Sequence, residues 1–510
     1  MKKIILLLVL LLVLASCGGK PAGGDPTSKK EFKIMLNAQP TGFNPLTTND
    51  SMSSDVSMQI YETLYERSVS GTEYVPLLAA DFPKCSEDGL TCNIKLREGI
   101  KYTDGTPFGA DAVIYTINKI KDKEYGAARA SIAASIESIE KVNDHEVKLT
   151  HSYPDGVLIA KLAHMNSAII SPSSEGVDLM TKPFGTGPYK LSGMVAGSEY
   201  TLEVNSDYWG AKPEIEKVVY TVVPEISTAI SRLETGEGDF LPQVPVTNVA
   251  RVKSLSNVNF VSAASSQITY MAMRTETAKN PKLMSNLLAR QAIAKAIDRA
   301  AYVNSLEGNA KALNSILPET VYGFKPEAQS FGYDFDFEGA KKIVEGEKLA
   351  AEPITILTNT RSEMSMLAEY VQSALNKVGF TNVTIVAEEF ATYLDSAKKA
   401  GSYDLALLTW ANVTGDGTEF FDPNVHSQRS SQRVQYVNPD FDKLVDESRE
   451  TIDQSLRLEK LHAANKHILN DAILVAMYNT NNLFAHTKGY TDVEVIPGGI
   501  FFVKNFKIAK

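Results

Sequence analysis

"AEPITILTN", residues 351–359, opens a run that continues through "MLAEYVQSALNKVGF" (366–380), "TNVTIVAEE" (381–389), "FATYLDSAKKAG" (390–401) and "YDLALLTW" (403–410). Short apolar, β-branched runs alternate with stretches whose apolar residues recur at three and four. That spacing predicts strand, helix, strand, helix, strand, the pattern of an α/β lobe around a mixed or parallel sheet. Upstream, "NLLARQAIAKAIDRAAYV" (286–303) predicts one amphipathic helix, with Ala289, Ile293, Ala296, Ile297 and Ala300 on its buried stripe and Arg290, Lys295 and Arg299 off it. Further back, "NIKLREGIKYT" (93–103) and "HEVKLTH" (145–151) alternate as strands, and "ADAVIYTINKIKD" (110–122) has helical spacing.

With 510 residues, 44% hydrophobic and 22% charged, the chain exceeds one ordinary domain, so at least two lobes are expected. The net charge of -10 and the lack of a dense Lys/Arg run argue against nucleic acid as a partner. Lys2 and Lys3 precede an apolar run over residues 4–15, too short to span a bilayer but suited to a signal peptide over residues 1–16. The run ends in "LASC", which resembles the lipobox of bacterial lipoproteins and makes Cys17 the lipidated residue; the alternative is an ordinary secretory peptide with an incidental cysteine. Residues 17–30, rich in Gly, Pro and Ser, read as a flexible tether. Removing the signal takes two Lys, so the mature chain carries 49 bases against 61 acids, or -12.

Cys85 and Cys92 then remain in an oxidising compartment, flanking "SEDGLT". A two-residue turn at Asp88-Gly89 would set Cys85 opposite Cys92 at a hydrogen-bonded position, either bridged or as two packed thiols. Signatures of serine hydrolases, zinc proteases, dinucleotide sites and nucleotide-triphosphate sites are absent, so no enzyme, cofactor or metal is expected. "DFDFEGAKKIVE" (334–345) nearly matches a calcium loop, but Glu338 and Lys341 stand at unsuitable positions; the competing reading makes Asp336 the cap of a surface helix.

Several blocks converge on one family. "QPTGFNPLTT", "YETLYE", "PLLAADFPKCSEDGLTCNIKLREGIKYTDGTPFGADAVIYTI", "PFGTGPYKL", "LEVNSDYWGAKPEIEKV", "GEGDF", "RQAIAKAIDR" and "GSYDLALLTW" follow one another as in the family-five solute-binding lipoproteins of ABC importers, the peptide/nickel class, which the chain resembles over nearly all of its mature length. The resemblance implies an α/β, two-lobed, hinged periplasmic-binding-protein-like fold with an extra domain inserted in the first lobe. Lobe I would take residues 32–48, 185–264 and 486–510, the inserted domain 49–184, and lobe II 265–485. It further implies a monomer at the cell envelope, lipid-anchored at the outer face of the cytoplasmic membrane or in the periplasm. Its partners would be a short peptide and the permease and ATPase subunits of an importer.

The resemblance also places the ligand. The opening loop contributes Gln39, Thr41, Gly42 and Phe43, and the second lobe Tyr270, Trp410, Ala411 and Asn412. Peptide binders of this class meet the ligand's ammonium with an Asp three residues after the cleft-entry tryptophan; here that place holds Val413, which cannot pair a charge. Asp416, Glu419 and Asp422 are the substitutes the loop offers, with Asp416 nearest the family's second acid. Arg361 lies close to where dipeptide binders hold the carboxylate, or else is an exposed helix-start residue. Arg274 stands where the family usually has Asn, available to an acidic ligand, to Asp416 or to Glu276. Without the acid at 413, a non-peptide cargo such as a nickel chelate, opine, haem or saccharide stays open, as does a sensor or chaperone without a transporter.

Overall fold

A computed structural model of the chain describes residues 30–510 except 69, 70, 72 and 432; the expected signal peptide, Cys17 and nearly all of the tether lie outside the described residues. The run 351–410 folds as strand Ile354–Asn359, helix Ser362–Lys377, strand Val383–Glu388, helix Phe390–Ser396 and strand Leu405–Ala411. Strand Ile354–Asn359 pairs in parallel with both of the others. They belong to a six-stranded mixed sheet completed by Gln267–Met273, Leu474–Thr480 and Ala310–Ala312. Helices cover both faces, so alternate residues enter two different cores: Ile268, Tyr270, Ala406 and Leu408 on one side, Met271, Met273, Leu405 and Leu407 on the other. The central strands are therefore buried along most of their length, whereas the edge strands Val383–Glu388 and Ala310–Ala312 expose Thr384, Ala387 and Lys311.

The other lobe carries a seven-stranded sheet, ordered Val258–Ala263, Asn482–Thr487, Phe240–Leu241, Glu31–Leu36, Lys217–Val222, Glu199–Val204 and Tyr189–Val195. Between its first and later strands lies the inserted segment, with a four-stranded antiparallel sheet of Lys84–Cys85, Thr91–Lys95, Glu146–His151 and Ile136–Asn143 against helix Ala110–Lys121. A single buried cluster runs from Phe32 and Ile34 through Ile94, Val113 and Leu149, so the inserted segment shares its core with the first lobe. The two lobes are α/β and joined twice, at residues 264–266 and at Asn481. The chain re-enters the first sheet at Asn482, four residues before the expected boundary at 486, because Leu483, Phe484 and Ala485 pair with Val258–Ala263.

Three local expectations are corrected. The helix expected over 286–303 is two, Leu287–Lys295 and Arg299–Asn304, because the Asp298 carboxylate caps the Ala301 amide and restarts the chain; Ala300 is exposed, and Arg290 is buried with its guanidinium on the Met284 and Asp471 carbonyls. The strand expected over 93–103 stops at Lys95. In the hairpin at 85–92 the hydrogen-bonded pair is Ser86 with Thr91, closed by a Gly89 N–H to Ser86 O bond, which shifts the phase by one pair. Cys85 and Cys92 therefore face each other at a non-hydrogen-bonded position with Cα atoms 4.0 Å apart, joined by a disulfide. Asp336 caps helix Phe337–Gly346 by accepting from the Gly339 amide, so that acid serves a helix rather than a calcium loop.

Candidate ligand-binding site

Strand Leu405–Ala411 ends where Asn412 reverses the chain: its Oδ1 accepts from the Gly415 and Asp416 amides at 2.7 and 3.1 Å, and its Nδ2 donates to Asp416 O at 2.7 Å. Gly415 sits at φ +79, and a Cβ there would collide with the Arg67 guanidinium. Arg67 in turn donates to Val413 O at 2.9 Å, and the Tyr74 hydroxyl to Thr414 O at 2.5 Å, so the inserted segment holds this loop by its backbone.

Asp416 faces into its own lobe. Arg457, from helix Gln454–Asn470, meets it with two parallel bonds of 2.7 and 2.6 Å and adds one to the Thr418 hydroxyl at 2.8 Å. The two side chains are 1% and 3% exposed. Burial works against the charge on Arg457, and the Asp416 carboxylate outweighs it, so the guanidinium's pKa is raised. With a further bond from the Thr418 amide, the acid expected to replace the one missing at 413 is spent inside the second lobe.

Of the other two acids, Asp422 is paired with Arg429 at 2.8 Å, and Glu419, three residues beyond Asp416, has the weaker partner. It lies in the first turn of helix Thr418–Asn424, its Oε2 accepts from the Thr414 amide and hydroxyl at 2.7 and 2.6 Å, and its Oε1 faces Arg129 Nη1 at 3.3 Å across the gap to the inserted segment. Burial outweighs these partners and raises its pKa above the ordinary glutamate value.

Glu419 borders a cavity of about 380 Å³ between the inserted segment and the second lobe. One wall holds Arg129, Tyr153, Lys161 and His164; the other holds Trp410, Thr414, Thr418, Glu419, Arg429 and Arg449. That volume is at the lower end of small-molecule sites. The walls are drawn together by the Gly156 amide donating to Arg449 O at 2.8 Å and by the Arg449 guanidinium over the Tyr153 ring at 4.9 Å. Gly156 permits this approach, since a Cβ there would collide with Thr451 O. A second cavity of about 30 Å³ lies beyond Thr414 and His164, which border both, and is lined by Val413, Glu62 and Lys504 among others.

Among the residues the sequence singled out, the structure brings Trp410, Glu419 and Asp422 to the larger cavity and Val413 to the smaller one. Asn412 acts through the loop's backbone, and Ala411 is exposed at the strand's end. Arg274 is fully buried, stacked at 4.1 Å on Tyr403 and donating to the Ala397, Lys399 and Arg433 carbonyls; it pairs with neither Asp416 nor Glu276. Tyr270 is equally buried, edge-on to Phe420 at 5.2 Å. Arg361 is exposed at the start of helix Ser362–Lys377 and stacks on Phe390 at 4.7 Å, its alternative role. The opening loop also turns away: Thr41 donates to Asp50 at 2.5 Å, Gly42 packs on Met180, Phe43 is buried edge-on to Tyr200, and Gln39 is exposed beside Gly197. Sequence reasoning missed Arg129, Lys161, His164 and Arg449, whose local sequence carries no signal; Glu419 was visible only as one of three acids.

Residues 73–432 match the family model described as bacterial extracellular solute-binding proteins, family 5 middle. The chain belongs to this family. Its members are solute-binding proteins rather than enzymes, and no helix among the described residues is long and apolar enough to cross a membrane. The chain is similar to the dipeptide-binding protein of Escherichia coli K12, 26% identical over 490 residues that cover 88% of this chain and 89% of that one. It is also similar to heme-binding protein A of Haemophilus influenzae, 24% identical over 495 residues and 88% of each chain. Among solved structures, the ABC transporter substrate-binding protein CtaP from Listeria monocytogenes superposes with a TM-score of 0.84 at 22% identity, covering 94% of this chain and 99% of that one. In this chain Trp410 stands near the end of strand Leu405–Ala411; past it Asp416 is paired within its own lobe, and Glu419, in the helix that follows, borders a cavity.

Proposed function

We propose that this chain is the substrate-binding lipoprotein of an ABC importer and captures short peptides in the cavity between the inserted segment and the second lobe. The observation that carries the reading is Glu419. A carboxylate on the cavity wall, buried enough for its pKa to rise and faced by a single guanidinium at 3.3 Å, gains from a second cation; a peptide's ammonium supplies one in the place that Val413 leaves empty of charge. Trp410 offers an apolar wall and ring face beside it. Closure of the lobes around the ligand excludes water, strengthens each polar contact and creates the surface that the membrane transporter recognises. Lipidation at Cys17 and the tether of residues 17–30 would hold a monomer at the membrane's outer face.

A non-peptide cargo is the second reading, favoured by the valine at 413 and by the engagement of Asp416 with Arg457. Mass spectrometry of ligand released from purified protein by mild denaturation separates the two. Recovery of peptides of a few residues is expected; recovery of non-peptide molecules alone overturns the peptide reading.

A further inference from the structure

The inserted segment also meets the second lobe through groups that the proposed ligand contacts do not use. Its loop 153–157 lies against the turn between helices Pro439–Glu450 and Gln454–Asn470, and the approach is backbone to backbone. The Gly156 amide donates to Arg449 O at 2.8 Å, and Gln454 Nε2 lies 3.5 Å from Gly156 O. The Arg449 guanidinium sits over the Tyr153 ring at 4.9 Å. Beside them is Gly89, in the turn of the disulfide-closed hairpin. A Cβ there would stand 3.0 Å from Ile452 Cγ2 and 2.9 Å from Pro154 Cβ.

Both sides of this contact are braced from within. In the inserted segment the fully buried Asp155 carboxylate accepts from the Val157 amide at 3.0 Å, the Ser135 hydroxyl at 2.5 Å and Lys161 Nζ at 2.6 Å. In the second lobe Arg457 Nε donates to Ser448 O at 2.9 Å and the Thr451 hydroxyl to Glu447 O at 2.6 Å. Arg457 also carries the two bonds to Asp416, so one side chain holds both the turn and the loop beside the cavity. Gly156 shows how close the fit is. A Cβ on it would stand 2.1 Å from Thr451 O and 3.0 Å from Arg457 Cδ, both in the second lobe. Its φ is not positive, so the backbone does not call for glycine at 156; the approach of the other lobe does.

We infer that loop 153–157 is a clasp that keeps the two lobes together before any ligand arrives. The inserted segment shares its core with the first lobe, so a contact from this loop to the second lobe joins the lobes themselves. The clasp uses neither Glu419 nor Trp410, and its free energy is present with the cavity filled or empty. Two consequences follow for binding. A preformed closed state lowers the conformational cost that a ligand must meet, since the apparent Kd is the intrinsic one divided by the competent fraction. Cargo then enters through the minor open state, and its release requires the clasp to part.

The test is pulsed electron double resonance on the full mature protein, unfolded and refolded to strip co-purified ligand. Spin labels go on Lys123→Cys in the inserted segment and Lys443→Cys in the second lobe, both at exposed positions. The short distance of the closed form is expected to dominate in this otherwise wild-type protein. Gly156→Ala is expected to lower the ratio of closed to open about tenfold or more, and Ile452→Ala, which removes packing and adds no atom, about threefold. Dominance of the long distance before any substitution in the clasp overturns the inference and leaves the peptide reading standing. So does a ratio unchanged in folded Gly156→Ala or, where that variant does not refold, in Ile452→Ala.

Discussion

Asp416 and Glu419 lie three residues apart, one before a helix and one in its first turn, each facing an arginine, and their surroundings part them. Asp416 meets Arg457 within the second lobe, through two direct bonds and with 3% of its side chain exposed. Glu419 meets Arg129 across the gap to the inserted segment, through one contact of 3.3 Å at the edge of a cavity. A carboxylate whose lone pairs are filled from its own lobe supports the fold; one that still gains from another cation is suited to a ligand. Neighbouring acids in a sequence thus separate by partner and not by position.

The largest expected effect comes from breaking the first pair. Asp416→Ala leaves the Arg457 guanidinium buried and uncompensated, which costs about 3–5 kcal/mol. Thermal unfolding should show a clear fall in melting temperature, and ligand affinity should drop only as the loop loosens. An unchanged melting temperature would erase the contrast between the two acids.

Glu419→Gln should do the reverse. Gln keeps an acceptor for Thr414 but not the charge, so peptide affinity should fall about 10- to 100-fold by calorimetry, with the melting temperature at neutral pH equal or higher. Equal affinity in this variant would move the ammonium elsewhere.

The pH dependence sharpens the same point. Glu419's folded pKa is raised, so its buried charge costs stability above that pKa, and the cost disappears as the pH falls toward the ordinary glutamate value. Ligand ammonium requires the charged form. Affinity should therefore weaken on acidification, beginning above the ordinary glutamate pKa, while the free protein gains stability from this site over the same interval. In Glu419→Gln both trends should flatten; a wild-type affinity constant down to that ordinary value would count against Glu419.

The smallest effect belongs to Arg361→Ala. An exposed guanidinium stacked on Phe390 at 4.7 Å should contribute about 0.5 kcal/mol or less to stability and nothing to peptide affinity. A tenfold loss of affinity would return it to the site.

These contrasts also mark what was legible in the sequence. The alternation over 351–410 declared strands and helices because spacing is local, and the elements formed in the expected order, though the helix read over 390–401 ends at Ser396. The break at Asp298 was missed because the apolar stripe continues across a residue that also caps. Arg457 lies 41 residues beyond Asp416, on another helix, and no local pattern links them. Arg274 shows the same limit: its acceptors include the carbonyls at 397, 399 and 433, a group that every residue possesses. The cavity joins segments near 130–164 and 410–449, so its composition is a property of the fold.

The paired connections between the lobes carry a mechanical meaning. Ser265, in the first, donates to Thr480 O and accepts from Asn479, just before the second. Two neighbouring pins leave one easy rotation and suppress sliding and twist. Ser266 also donates its hydroxyl to Asn412 O at 2.5 Å and its amide to Pro497 O at 2.8 Å, which ties the pivot to the turn that precedes the helix of Glu419. A rotation about these connections would carry the 412–416 turn with it.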